Sequence, residues 1–206
     1  MFLMRLRCVL CLFLLGACSN VVQVMDKTAV LLPYATSSVV ATTFDVDILE
    51  NKPILSLAQR TLQQLPEFSG SNIKVFEKIS FFNGTRPRIE LFVLHPKLPK
   101  TLVLYTFEHN QWRASEAEDA SHIQFLHHHL FDLNSMDFAA AADYAALWRQ
   151  HAQQLNAVIT EPYHVAFIYL PKQNKRFWHT TILEVVGVQY YLSFHEDSTI
   201  WELKRL

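Results

Sequence analysis

Cysteine is almost missing from this chain. Three occur in 206 residues, Cys8, Cys11 and Cys18, and none follows position 18. The body therefore has no disulfide to staple it and no thiolate for catalysis or metal ligation. Glycine is nearly as scarce: Gly16, Gly70, Gly84 and Gly187 are all there are. Neither GxGxxG nor a P-loop can be written with them, which excludes a glycine-rich phosphate cradle. No GxSxG surrounds a serine and no HExxH is present. Charge of either sign is not in excess, with 18 Lys and Arg against 19 Asp and Glu. That balance gives no reason to expect nucleic acid or an anionic surface as partner. What is abundant is apolar and aromatic side chain, 50% and 13% of residues. Such a chain folds around a core.

The first segment reads as an address. Arg5 and Arg7 precede an uncharged apolar stretch, Cys8 to Leu15, which ends in small residues. This is the order of a secretory signal. The stretch is about 8–11 residues, where a membrane-spanning helix needs about 20. Leu15-Gly16-Ala17-Cys18 resembles the lipobox of bacterial lipoproteins. The resemblance implies cleavage before Cys18, loss of residues 1–17, and acylation of Cys18 with palmitate-type chains. A plain secretory signal with an incidental Cys18 is the alternative. One acyl chain holds a protein marginally, at about 0.8 kcal/mol per buried methylene, whereas two or three hold it stably. Ser19 after the cysteine implies sorting to the outer membrane, periplasmic side, in a double-membrane bacterium. In a single-membrane source the anchor is the plasma membrane. Removal of residues 1–17 leaves 189 of 206 residues, and 16 basic against 19 acidic groups, net −3.

Residues 18–37 read as the lipidated cysteine and a tether. A first α+β unit spans 38–116. In it, Ser38 to Ile48 alternates as a half-buried strand. Pro53 to Leu65 forms a helix with Ile54, Ala58, Leu62 and Leu65 on one face. Ile73–Phe82, Ile89–Leu94 and Leu102–Phe107 follow as strands, with Asn83-Gly84 and His109-Asn110 as turns. The polar stretch Glu116–Ser121 marks a boundary, and 117–135 a connector. A second unit spans 136–206. Ser135 is placed to cap a helix from Met136 to Leu155, whose apolar seam is Phe138, Ala141, Ala145, Trp148, Ala152 and Leu155. Strands are expected at Tyr163–Leu170, Phe177–Val186, Val188–Phe194 and Thr199–Leu203. The fold class is α+β: two αβββ units, each a helix packed on an antiparallel sheet, in an order that suggests duplication.

Over residues 53–114 and 136–204 this helix-then-meander order is similar to the PepSY family and to the tandem units of the beta-lactamase inhibitory proteins. The resemblance rests on element order and on the aromatic closings, Tyr105-Thr106-Phe107 to Trp112 and Tyr191-Leu192-Ser193-Phe194 to Trp201. It implies a binding surface by analogy. The inhibitory proteins' disulfides have no counterpart here.

Candidate chemistry is sparse. His122 and the run His127-His128-His129 are the only metal-ligand candidates, and consecutive histidines cannot converge on one ion from a regular helix or strand. No cofactor is expected. His179 or His195 with Glu196 or Asp197 would make the acid–base pair of an envelope hydrolase. The leading expectation is instead a lipid-anchored binding module without catalytic activity, meeting an envelope protein or a small ligand. Its contact surface would be the second unit's sheet face and the 171–180 loop. Trp178 is the tryptophan expected to be exposed, and it joins Arg176, His179, Tyr191 and His195 as the predicted contact set.

Overall fold

The computed structural model describes residues 47–206. Cys18, the tether and nearly all of the expected strand at Ser38–Ile48 lie outside the described residues. Ile48 itself opens a short 3-10 turn, Ile48–Glu50, and is buried.

Helix α1, Lys52–Gln63, starts where Asn51 Oδ1 accepts the Ile54 N–H and Pro53 occupies the first turn. Four strands follow: β1 Lys74–Phe82, β2 Arg88–Leu94, β3 Thr101–Glu108 and β4 Gln111–Asp119. After a 3-10 turn at Leu126–His129 and a short strand, β5 Leu130–Asp132, comes α2, Ala140–Gln154. The chain then forms β6 His164–Leu170, β7 Lys175–Thr180, β8 Leu183–Val185, β9 Val188–Phe194 and β10 Ile200–Arg205. All pairings are antiparallel.

The protein is α+β with the sheet dominant. Each half runs helix, then strands, but the halves do not build separate sheets. β1 pairs with β6, so the strand order is β10-β9-β7-β6-β1-β2-β3-β4, with β5 added to β1 and β8 to β9. The strand expected at Phe177–Val186 is two, β7 and β8, interrupted at Thr181 and Ile182. The polar stretch read as a boundary is largely β4. As an edge strand it is exposed at all residues but Trp112 and shows no alternation.

One sheet face carries the core. Val75, Ile79, Phe81, Ile89, Leu91, Val103, Phe107, Val165, Phe167, Trp178, Leu192 and Phe194 are buried there against both helices. Ala141, Ala145, Trp148 and Ala152 of the expected seam are buried on α2, with Ala142 and Tyr144 added; the helix begins at Ala140 and not at Met136, so Phe138, which is buried, and Leu155, which is half-buried, lie just outside it. Ser135 does not cap this helix: its hydroxyl donates to the Asp132 carbonyl, and Asp137 accepts the Ala139 N–H instead. Two indoles lock helices to the sheet. Trp112 Nε1 donates to the Ala58 carbonyl at 2.9 Å, and Trp148 Nε1 donates to the Thr181 carbonyl at 2.6 Å. Trp148 is completely buried. In β1 the register slips between Phe76 and Ile79, with Glu77 at φ 50°. Glu77 and Lys78 are two extra residues against β2, an even number, so Val75 and Ile79 stay on one face as they would in a regular strand.

Candidate functional site

The opposite sheet face is closed in part. Over the N-terminal half, Ala120, Ile123 and Leu126 from the 117–135 connector pack on Phe76, Phe92, Leu94 and Leu102. The described residues place no comparable cluster over the rest of that face. It presents a row of rings and cations running across five strands. The Arg88 guanidinium lies over the Phe82 ring at 3.9 Å. Phe82 stacks on His164 with centroids 4.6 Å apart. His164 meets His179 edge to face at 6.1 Å, and His179 stacks on Tyr191 at 5.2 Å. The pleat explains the row. Phe82 faces His164 in register, Val165 faces Thr180, and alternate residues of each strand share a face.

Small residues lie beside this row on the same face. Ser80 and Ala166 are cross-strand neighbours on β1 and β6, and Ala166 and Ser193 flank His179 from β6 and β9. Ser80 is 2% exposed, Ala166 0% and Ser193 1%. Ser80 Oγ, His164 Nε2 and His179 Nδ1 are buried and make no hydrogen bond within the described residues. Such orphans are rare in folded proteins and mark water, ion or ligand sites. Burial lowers the His164 pKa from 6.5 to about 4, and the nearby His179, Lys78 and Arg88 push the same way. His179 is lowered too, by burial first and Lys78 second. Both imidazoles are therefore neutral at pH 7, each with one ring nitrogen to donate and one to accept. Arg88 is held by Glu90 at 2.6 Å. The site can bind by hydrogen bonds and stacking. It holds no carboxylate aligned on an imidazole for proton relay.

Of the predicted contact set, His179, Tyr191 and His195 lie on this face. His195 stacks on Trp201, and Trp201 lies against Phe177. The other two do not join them. Trp178 is 3% exposed and stacked on Tyr144 at 4.5 Å, so it is core and not an exposed contact. Arg176, two residues before Trp178, shares its helix-bearing side. There it pairs with Glu196 at 3.0 Å and lines an open cleft of about 350 Å³ with Asp132, Tyr169 and Asn174. The hydrolase geometry does not form either. Glu196 serves Arg176, and Asp197 accepts the Thr199 N–H and hydroxyl inside its turn. Among the described residues no hydrogen bond joins His179 or His195 to either carboxylate.

The histidine run does not converge. His129 bonds Glu77 and stacks on Phe76, while His127 and His128 meet edge to face. The described residues hold one grouping with ligand atoms close enough to share an ion, Asp47, Glu50 and Glu161, and His122 and His127–His129 are not in it. Arg149 pairs with two of those acids.

His164, Phe82, Arg88 and Ser80 were not anticipated. Their signal is the pairing of β1 with β6, about 85 residues apart in the chain, which no local spacing reveals.

No protein-family model matches the sequence, and no curated protein sequence matches it. Among solved structures, one from Clostridium difficile 630, described as a "putative lipoprotein", is similar over 78% of this chain and 99% of that one, with 7% identity and a TM-score of 0.49. No step below rests on that likeness.

Proposed function

We propose that this chain is a lipid-anchored binding module of the cell envelope, without catalytic activity, and that the sheet face left open by the described residues is its contact surface. The observation that carries the reading is the set of buried polar atoms left unpaired there, Ser80 Oγ, His164 Nε2 and His179 Nδ1, along an aromatic row. Buried polar groups ordinarily find partners, so these three atoms are the points at which a bound ligand's polar groups, or the water they displace, would bond. The anchor is Cys18, acylated after removal of residues 1–17, as the Leu15-Gly16-Ala17-Cys18 pattern supports. With Ser19 following, the destination in a double-membrane bacterium is the outer membrane, periplasmic side. The same reading takes the two halves as copies of one unit. Its support is the shared order of helix then antiparallel strands, four in the run β1–β4 after α1 and five, β6–β10, after α2, with β1 and β6, the first long strand of each half, paired at the centre.

The test is in-cell crosslinking of the lipidated protein with mass spectrometry of what it captures. Cys18→Ala and a face variant, His179→Ala with Tyr191→Ala, are the controls. The expected result is one envelope protein captured by the native chain, lost in the face variant and reduced in Cys18→Ala. Capture unchanged by the face variant would remove the sheet face from the reading. Persistent palmitate labelling of Cys18→Ala would remove the anchor.

A further inference from the structure

Ten large apolar side chains are exposed among the described residues, and they are not scattered. Six of them, Val158, Ile159, Tyr163, Ile182, Val186 and Leu206, lie at one end of the sheet. Registers and backbone bonds fix that placement. Phe82 faces His164, and Tyr190 faces Arg205, so β1, β7 and β10 end where β6 and β9 begin. At this rim Thr181 N–H donates to His164 O, which sets Ile182 beside Tyr163. Val158 N–H donates to Glu184 O at 2.7 Å, and Leu206 N–H to Gln189 O. The β8–β9 hairpin tip reads Val185-Val186-Gly187-Val188, with Gly187 at φ 72° and Val186 86% exposed. Hairpin tips are ordinarily polar. An apolar one at the centre of an apolar rim marks a contact surface.

The chain arriving from the anchor enters at the same end. Ile48 N–H donates to Asn83 Oδ1 at 3.0 Å, and Asn83 N–H donates to Tyr163 O. Ile48, next to residue 47, is thus linked through Asn83 by two hydrogen bonds to the exposed Tyr163. We propose that this end is a lipid-contact surface, with Val158, Ile159, Tyr163, Ile182 and Val186 entering the boundary between headgroups and acyl chains of the bilayer that holds Cys18. The orientation rests on the lipoprotein reading above, since the anchor selects which bilayer is met. The charges around the rim select the lipid. Asp47, Glu50, Glu161 and Glu184 are acidic, and the three cations beside them, Arg149, which pairs with Glu50 and Glu161, Lys204 and Arg205, leave one acid in excess. The surface therefore suits uncharged, zwitterionic headgroups and gains nothing from anionic ones.

The test uses the full lipidated chain carrying Val186→Cys. With Cys18 acylated and residues 1–17 removed, the new thiol is the one available to an environment-sensitive fluorophore. Asn174→Cys, at the far end of β6 and β7, is the control. In phosphatidylcholine–phosphatidylethanolamine vesicles, the Val186 probe should brighten several-fold, shift to the blue and be quenched by spin-labelled lipid, and the Asn174 probe should do none of these. Adding phosphatidylglycerol should not strengthen the signal. Flotation of the protein with vesicles reads the anchor separately. A chain that floats while its Val186 probe stays aqueous overturns the contact surface and leaves the anchor standing. A chain that does not float overturns the anchor. The surface is then judged on the Cys8→Ala, Cys11→Ala, Cys18→Ala, Val186→Cys form, whose one thiol is the probe, mixed with millimolar lipid, where an aqueous probe also overturns it. In that form Ile159→Glu should weaken partitioning about tenfold, and an unchanged value would count against the surface.

Discussion

His164 makes the stability of the protein depend on pH in a calculable way. Its folded pKa is about 4, against 6.5 when free, because burial disfavours the imidazolium and His179, Lys78 and Arg88 stand nearby. Between these values the unfolded chain binds the proton and the folded chain does not. Stability therefore falls as pH drops from about 6.5 and the loss is complete near pH 4. A shift of this size corresponds to about 3 kcal/mol in all, of which roughly 2 kcal/mol is lost by pH 5. His179 adds to the fall in the same direction. The measurement is urea unfolding of native and His164→Leu protein at pH 7.5 and pH 5.0. The native chain should lose about 2 kcal/mol more than the variant between the two conditions. Carboxylates titrate alike in both, so their contribution cancels in the difference. Histidine resonances followed by NMR give the pKa directly. Equal losses in the two proteins, or a His164 resonance that titrates near 6.5, would refute the burial argument.

Trp178→Ala should cost about 3–5 kcal/mol of unfolding free energy, because it empties a site packed by Tyr144, Phe167 and Phe81; a change below about 1 kcal/mol would mean that the indole is a surface group after all. Trp112→Phe keeps the ring against Phe107 but removes the bond to the Ala58 carbonyl, for a loss of about 1 kcal/mol in the same assay. Zinc titrated calorimetrically into the full chain should give no heat above buffer from His122 and His127–His129, since His129 is engaged by Glu77 and the others do not converge; heat abolished by His127→Ala would contradict this. Gly187→Ala should destabilise by about 1 kcal/mol, because φ 72° suits glycine and the space itself is open.

Local periodicity carried most of the elements. The α2 seam, the strand Val188–Phe194 and the His109-Asn110 turn, whose two residues both have positive φ, were legible because each depends on neighbours in the chain. Which face each residue of the expected contact set occupies follows from the same rule. Arg176, Trp178 and Thr180 alternate with Phe177 and His179, so a strand cannot place Trp178 and His179 on one face. Adjacent aromatic and polar residues suggested a cluster, but the pleat divides it between core and open face. The single sheet was not legible, because the pairing of β1 with β6 joins segments far apart in sequence. The edge strand β4 was read as a boundary because an edge exposed on both faces loses the alternation that identifies strands.

The two surfaces place constraints on one another. The apolar end and the aromatic row share residues' neighbours: Tyr163 at the rim precedes His164 in the row, and Phe82 precedes Asn83, which receives the entering chain. If the rim meets the bilayer, the strands rise away from it and the uncovered face stands beside the membrane, not under it. A partner reaching His179 and Tyr191 would then approach laterally, within the reach of other proteins of the same membrane. Hence a face variant and a rim variant should separate in their effects. His179→Ala with Tyr191→Ala should lose the crosslinked partner while the Val186 probe still reports lipid. Val186→Glu should detach the rim and reduce capture only as far as orientation matters. Loss of lipid contact in the face variant, with the fold intact by circular dichroism, would show that the two surfaces are one, and that the row of rings itself faces the bilayer.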